Sequence, residues 1–128
     1  MTDLHYLGLS ALLLWFMLMC ASVLASRPWA PGGARVAFGN RDDVPPRSPV
    51  AGRADRAARN MLENLVLFTA LVAAVRLGGK PASAGAAALF FWARVLYFGI
   101  YLAGLPYVRT LVFALSIAAL VRIGVQLF

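Results

Sequence analysis

Four stretches of this chain are apolar over about 20 residues each, and a polypeptide of 128 residues has no interior large enough to hide them all. A bilayer core about 30 Å thick takes such stretches as helices, because a helix satisfies its own backbone hydrogen bonds in hydrocarbon. The composition agrees: 62% of residues are hydrophobic and mean hydropathy is +0.77, far above soluble domains. The expectation is therefore an all-α, integral membrane four-helix bundle, one domain over residues 1–128. Its helices fall at about 4–26, 52–77, 82–103 and 107–127, with a connecting loop at about 27–51.

Local signals set those boundaries. The run from Tyr6 to Ala25 carries no charge. A cleavable signal peptide competes with a retained helix there. Asp3 in place of a positive cluster, and an apolar run longer than a usual signal core, favour retention. From Ser26 to Gly52 the chain turns rich in proline, arginine and glycine without helical periodicity. Pro45, Pro46 and Pro49 are expected to stop any helix there, and the second helix to start near Ala51. Gly78-Gly79-Lys80-Pro81 reads as a compact turn, and Gly104 with Pro106 as a short break. Connections that short make the last three helices antiparallel neighbours.

The net charge of +7 is concentrated between Arg27 and Arg59. A basic stretch can bind nucleic acid, but no recognised motif or interleaved aromatics support that here. A loop facing anionic headgroups fits better, and the positive-inside rule places it in the cytoplasm. Arg76 and Lys80, in the opposite loop, pull mildly the other way. Cys20 is the single cysteine and His5 the single histidine, so one chain can build no intramolecular disulfide, thiolate metal cluster or histidine-based catalytic pair. No metal site is expected, and no phosphate-binding loop or dinucleotide fingerprint is present.

Ionisable residues within apolar sequence need partners, since a central arginine or aspartate costs about 2.5–3.5 kcal/mol on insertion scales. Arg56, Arg59, Asn60 and Glu63 fall within roughly a 100° arc at the mouth of the second helix, behind Arg53. Arg94, Tyr97 and Tyr101 lie within roughly 60° of one another on the third. Antiparallel helices can bring Glu63 and Arg94 to one depth, so a buried Glu63–Arg94 ion pair is expected, with a direct ligand role secondary. From position alone Arg109 is an interfacial snorkelling anchor, as is Arg122. Trp15, Phe16, Phe90, Phe91 and Trp92 read as lipid-facing or packing residues. Asn40-Arg41-Asp42-Asp43 reads as a turn cap or a loop held by ion pairs.

The segments RADRAARNMLE and ARVLYFGIYLAGLPYVR together resemble the MAPEG family, the membrane-associated proteins of eicosanoid and glutathione metabolism. That family's Arg-x-x-Arg-Asn-x-x-Glu pattern stands here as Arg56, Arg59, Asn60 and Glu63. Its Arg-x-x-Tyr-x-x-x-Tyr pattern stands as Arg94, Tyr97 and Tyr101, and the arginine opening its fourth helix as Arg109. The resemblance implies a homotrimer binding glutathione as co-substrate between subunits at the cytoplasmic side. It also implies a lipophilic small-molecule partner entering from the membrane lipids, and no nucleic acid. Arg56, Arg59, Asn60, Glu63, Arg94, Tyr97 and Tyr101 would bind the tripeptide, and Arg109 would stabilise its thiolate. Thr110 stands where the prostaglandin branch has serine, and Phe113 where it has tyrosine.

The function implied is a glutathione-dependent transferase or peroxidase, in a short bacterial-type member of the inner membrane. A non-catalytic lipid- or thiol-binding protein of the same fold is the alternative. A small multidrug-type transporter using Glu63 is disfavoured, because the adjacent arginines would repel a cationic substrate.

Overall fold

Each long helix begins where a short polar side chain accepts from a free backbone donor of its first turn, or where a proline leaves one donor fewer to satisfy. The computed structural model describes residues 1–42 and 44–128. Helix α1 (Asp3–Ser26) starts at Thr2, whose hydroxyl accepts from the His5 backbone while its own N–H donates to the His5 ring, a capping box. Helix α3 (Pro49–Leu77) starts at Ser48, which accepts from the Ala51 N–H at 3.3 Å. Helix α4 (Ala84–Ala103) starts at Ser83 in the same way. Helix α5 (Pro106–Gly124) opens on Pro106 and ends in a 3-10 turn at Val125–Leu127. Four of these helices are long and apolar enough to cross a membrane.

Two expectations need correction. Pro49 does not stop a helix but opens one, because a first-turn residue needs no donor and its fixed φ suits helix entry. The expected loop also contains a helix, α2 (Gly33–Phe38), which is too short to show periodicity. It folds back onto the end of α1, and that approach demands glycine: a Cβ at Gly33 would lie 1.8 Å from the Arg27 carbonyl oxygen. In the Asn40–Asp43 stretch, Arg41 donates to the Ser22 hydroxyl at 2.9 Å and ties the loop to α1; Asp43, and any ion pair expected of it, lies outside the described residues.

The helices run up and down, with α1 against α3 and α4, and α5 against α4 and α3. On α1 the buried positions Asp3, Ser10 and Met17 recur every seven residues, with Ala21 one turn on, and the small Ser10 and Ala21 let helices approach closely in lipid. On α3 the seam is Ala57, Met61, Asn64, Phe68, Val72 and Val75. Phe68 stacks on Phe90 of α4 at 4.3 Å between ring centroids, so Phe90 is core. Trp15, Phe16 and Trp92 are exposed on the outer surface, where lipid would cover them.

The end of the bundle away from α2 is closed by one carboxylate. Asp3 is buried and accepts from Arg76 Nε at 2.8 Å, from Arg76 Nη2, and from the Ala82 N–H at 3.1 Å. It joins the start of α1 to the end of α3 and the approach to α4. Gln126 completes this end by accepting from the Ser83 N–H at 2.9 Å. Asp3→Ala strips three donors of their shared acceptor. It should lower the unfolding free energy in detergent by about 2–3 kcal/mol, read by thermal or denaturant unfolding, and leave ligand binding at the far end unchanged.

Candidate functional site

The opposite end of the bundle holds most of the arginines, and the reach of α3 puts them there. At 1.5 Å per residue its 29 residues extend about 43 Å, against a hydrocarbon core of about 30 Å. If its apolar C-terminal part lies within the bilayer, the first turns, carrying Arg53 and Arg56, rise to headgroup level.

The arginines and Asn60 on this helix have separate roles. Arg53 reaches across to α4 and donates Nε to the Leu102 carbonyl oxygen at 3.0 Å. Its guanidinium lies beside Gly104, whose φ of +78° reverses the chain between α4 and α5. A cation on the last carbonyls of a helix is favoured both by the hydrogen bond and by the helix dipole. Arg59 pairs with Asp55 at 3.1 Å, and Asp55 also takes Arg47 from the connecting loop at 2.8 Å. Arg56 is exposed and makes no hydrogen bond or ion pair among the described residues. Asn60 turns toward α4, where its Oδ1 accepts from Arg94 Nη1 at 2.7 Å.

The expected Glu63–Arg94 pair does not form. The buried seam of α3 centres near Ala57, Asn64 and Phe68, and at about 100° per residue Glu63 points roughly 120° away from it. Asn60 is about 60° nearer and takes the place of the carboxylate. Glu63 is exposed on the outer face of α3. Arg94 is 1% exposed, and its guanidinium carbon stands 5.3–5.4 Å from the ring centroids of Phe90, Tyr97 and Phe113. Those rings stabilise a cation that lacks a counterion. Its Nε and Nη2 have no hydrogen-bond partner, and they are the only buried unpaired side-chain atoms among the described residues.

In front of this arginine opens a cavity of about 250 Å³ lined by Asn60, Tyr97, Tyr101, Arg109, Thr110 and Phe113. Tyr97 and Tyr101 meet edge to face at 5.4 Å, and Tyr97 also contacts Phe113. Arg109, one turn into α5, lies with its guanidinium 4.7 Å from the centre of the Tyr101 ring. It is half-buried at the cavity wall, not a free interfacial anchor. Arg122, at the far end of α5, is exposed, as an anchor would be. Thr110 donates its hydroxyl to the Pro106 carbonyl at 3.1 Å, so that proton is already used. A second hollow of about 430 Å³ lies over the connecting loop between Arg35 and Asp42 and includes none of these residues.

Of the residues singled out in the sequence, the fold gathers Asn60, Tyr97, Tyr101 and Arg109 around one cavity and sets Arg94 behind its wall. Arg56, Arg59 and Glu63 stay on the open face of α3. Sequence reasoning missed Asp55 and Arg47. The Asp55–Arg59 spacing of four was a visible signal, whereas nothing in the sequence ties Arg47 to them. Among the described residues no cluster of side chains could hold a metal ion.

The family model described as the MAPEG family matches residues 4–128, essentially the whole chain. No curated protein and no solved structure matches it.

Arg53→Ala removes the cross-helix hydrogen bond that secures the α4–α5 turn. Hydrogen exchange of the backbone between Leu102 and Val108 should speed up about tenfold, the equivalent of roughly 1.4 kcal/mol, with exchange at the Asp3 end unchanged.

Proposed function

Because the chain belongs to the MAPEG family, we propose that it is a membrane-embedded glutathione-dependent transferase or peroxidase whose thiol-activating group is Arg109. The observation that carries this reading is the placement of Arg109. Its guanidinium is held against Tyr101 at the wall of a cavity whose other polar walls are Asn60, Tyr97 and Thr110. A fixed cation favours the thiolate over the thiol, whose ordinary pKa is about 8.5, and so supplies nucleophile at neutral pH. The thiol proton leaves to water at the open mouth of the cavity. The sulfur then forms a bond to the electrophilic carbon of a lipophilic substrate, and the leaving group departs with its bonding electrons. With a hydroperoxide the sulfur attacks the outer oxygen, the O–O bond breaks, and an alcohol and a glutathione sulfenic acid result. A second glutathione converts the latter to disulfide and water. The nucleophile belongs to the ligand, so the chain needs no reactive cysteine or histidine of its own.

The rest of the site supports an assembly. Arg56, Arg59 and Glu63 project from a face of α3 that also exposes Leu62 and Val66. In a homotrimer that face meets a neighbour, and these charges become part of a shared glutathione site gripping its carboxylates and amine. The arginines of the connecting loop support a cytoplasmic position for it, and a bacterial inner membrane is the setting that fits.

One observation favours a second reading, a lipid- or thiol-binding protein without turnover. The Thr110 hydroxyl is spent on Pro106, so Arg109 has no second donor beside it from that residue. Conjugation of glutathione to chlorodinitrobenzene, and reduction of a lipid hydroperoxide, decide between the two. Thermal stabilisation by glutathione with neither activity would select the binding protein. On the catalytic reading Arg109→Ala should lower kcat about 100-fold or more while glutathione affinity changes little, and Arg109→Lys should recover part of the loss.

A further inference from the structure

We infer that Arg94 is a positioning residue: it fixes the side-chain amide of Asn60 so that Nδ2 is presented to the cavity as a donor, for a thiolate or carboxylate of the ligand. The inference rests on the proposed glutathione site and adds to it a residue that acts through another.

The amide orientation follows from chemistry. An amide can be turned to place either its oxygen or its nitrogen toward a neighbour, and the surrounding hydrogen bonds decide which. An arginine only donates, so a contact of 2.7 Å from Arg94 Nη1 requires the amide oxygen at that point. Asn60 Nδ2 is thereby turned the other way. It has no hydrogen-bond partner among the described residues, and among them the buried unpaired atoms belong to Arg94 alone. It is therefore open, in a residue that lines the cavity. The backbone of Asn60 is held as well, since Asn64 Nδ2 donates to its carbonyl oxygen at 2.8 Å.

The lock is stiff because Arg94 cannot leave. Three rings surround its guanidinium, and it is buried at 1% exposure. A buried cation with two unpaired nitrogens holds tightly to the one acceptor it has. Asparagine suits this place better than a carboxylate would. A carboxylate would satisfy Arg94 more fully, but it would turn an acceptor toward the cavity and repel an anionic ligand. The unfinished pairing of Arg94 thus keeps a donor facing the ligand.

The test is Asn60→Asp in the purified full-length protein in detergent, with Arg94→Lys and Arg94→Leu beside it. The new carboxylate gives Arg94 a counterion, so Asn60→Asp should raise the unfolding midpoint by about 3 °C. In the same protein, glutathione should bind about tenfold more weakly by titration calorimetry, because the donor has become an acceptor. Opposite signs in stability and binding separate a positioning role from a merely structural one. Arg94→Lys still donates to the amide oxygen and should keep affinity within about threefold, whereas Arg94→Leu should lose it. Undiminished glutathione binding by Asn60→Asp or by Arg94→Leu overturns the inference. If the wild type binds no glutathione, the proposed function fails, and the unfolding comparison still decides the pairing. A midpoint for Asn60→Asp above wild type supports the lock, and one at or below wild type overturns it.

Discussion

The rest of the structure depends on burying one arginine without a carboxylate. Arg94 keeps its charge in any protein environment, and an unpaired charge within a bundle is expensive. The chain offsets that cost with a single strong hydrogen bond to Asn60 and three aromatic faces, from Phe90, Tyr97 and Phe113. Those groups come from α3, α4 and α5, so the same contacts that accommodate the charge fix the mutual rotation of three helices. The neighbouring Phe68–Phe90 stack carries that register down into the apolar core.

The two ends of the bundle handle charge in opposite ways. At one end Asp3 is saturated by Arg76 and the Ala82 N–H, which leaves little for a ligand to gain. At the other, the acids are outnumbered. Asp55 is shared between Arg47 and Arg59, Arg53 is spent on a backbone carbonyl, and Arg56 and Arg109 have no anionic partner among the described residues. An excess of donors beside an open cavity is the arrangement that a ligand with several carboxylates would complete. Such sites give up stability in order to bind, and the closed end is where the bundle recovers it.

The architecture was legible because the bilayer leaves so few options. Apolar runs of spanning length, separated by glycine and proline, allow little other than four up-and-down helices. The Arg94, Tyr97 and Tyr101 stripe was legible for the same reason: a seven-residue spacing fixes a face whatever lies opposite. Helix α2 was not legible, since six residues contain too little of a pattern, and its placement depends on Gly33 touching the α1 terminus. Pro49 was misread because the same ring that breaks a helix interior is welcome in its first turn. The Glu63–Arg94 pairing failed for a different reason. Charge complementarity named the partners, but the rotation of α3 is decided by its apolar seam, and that seam turns Asn60 toward α4.

That rotation has a consequence for how the polar face works. Asn60 and Glu63 are three residues apart, yet one is half-buried at the wall of the cavity and the other lies on the outer surface of the bundle. A face that looked like one site in the sequence is therefore divided between a cavity built by α3, α4 and α5 and a row of charges facing outward. A ligand spanning both has to lie over the edge of α3. In the proposed assembly, that edge is where a neighbouring subunit packs. On the proposed function the cavity half would fix the reacting end of such a ligand through Arg109 and Asn60, and the outward half would hold its charged tail through Arg56 and Arg59. Separating the two lets the charge-dense grip sit in water at headgroup level. On that reading the reacting atom would lie deeper, among tyrosines and Phe113, where a cation acts more strongly on a developing thiolate than it would in solvent.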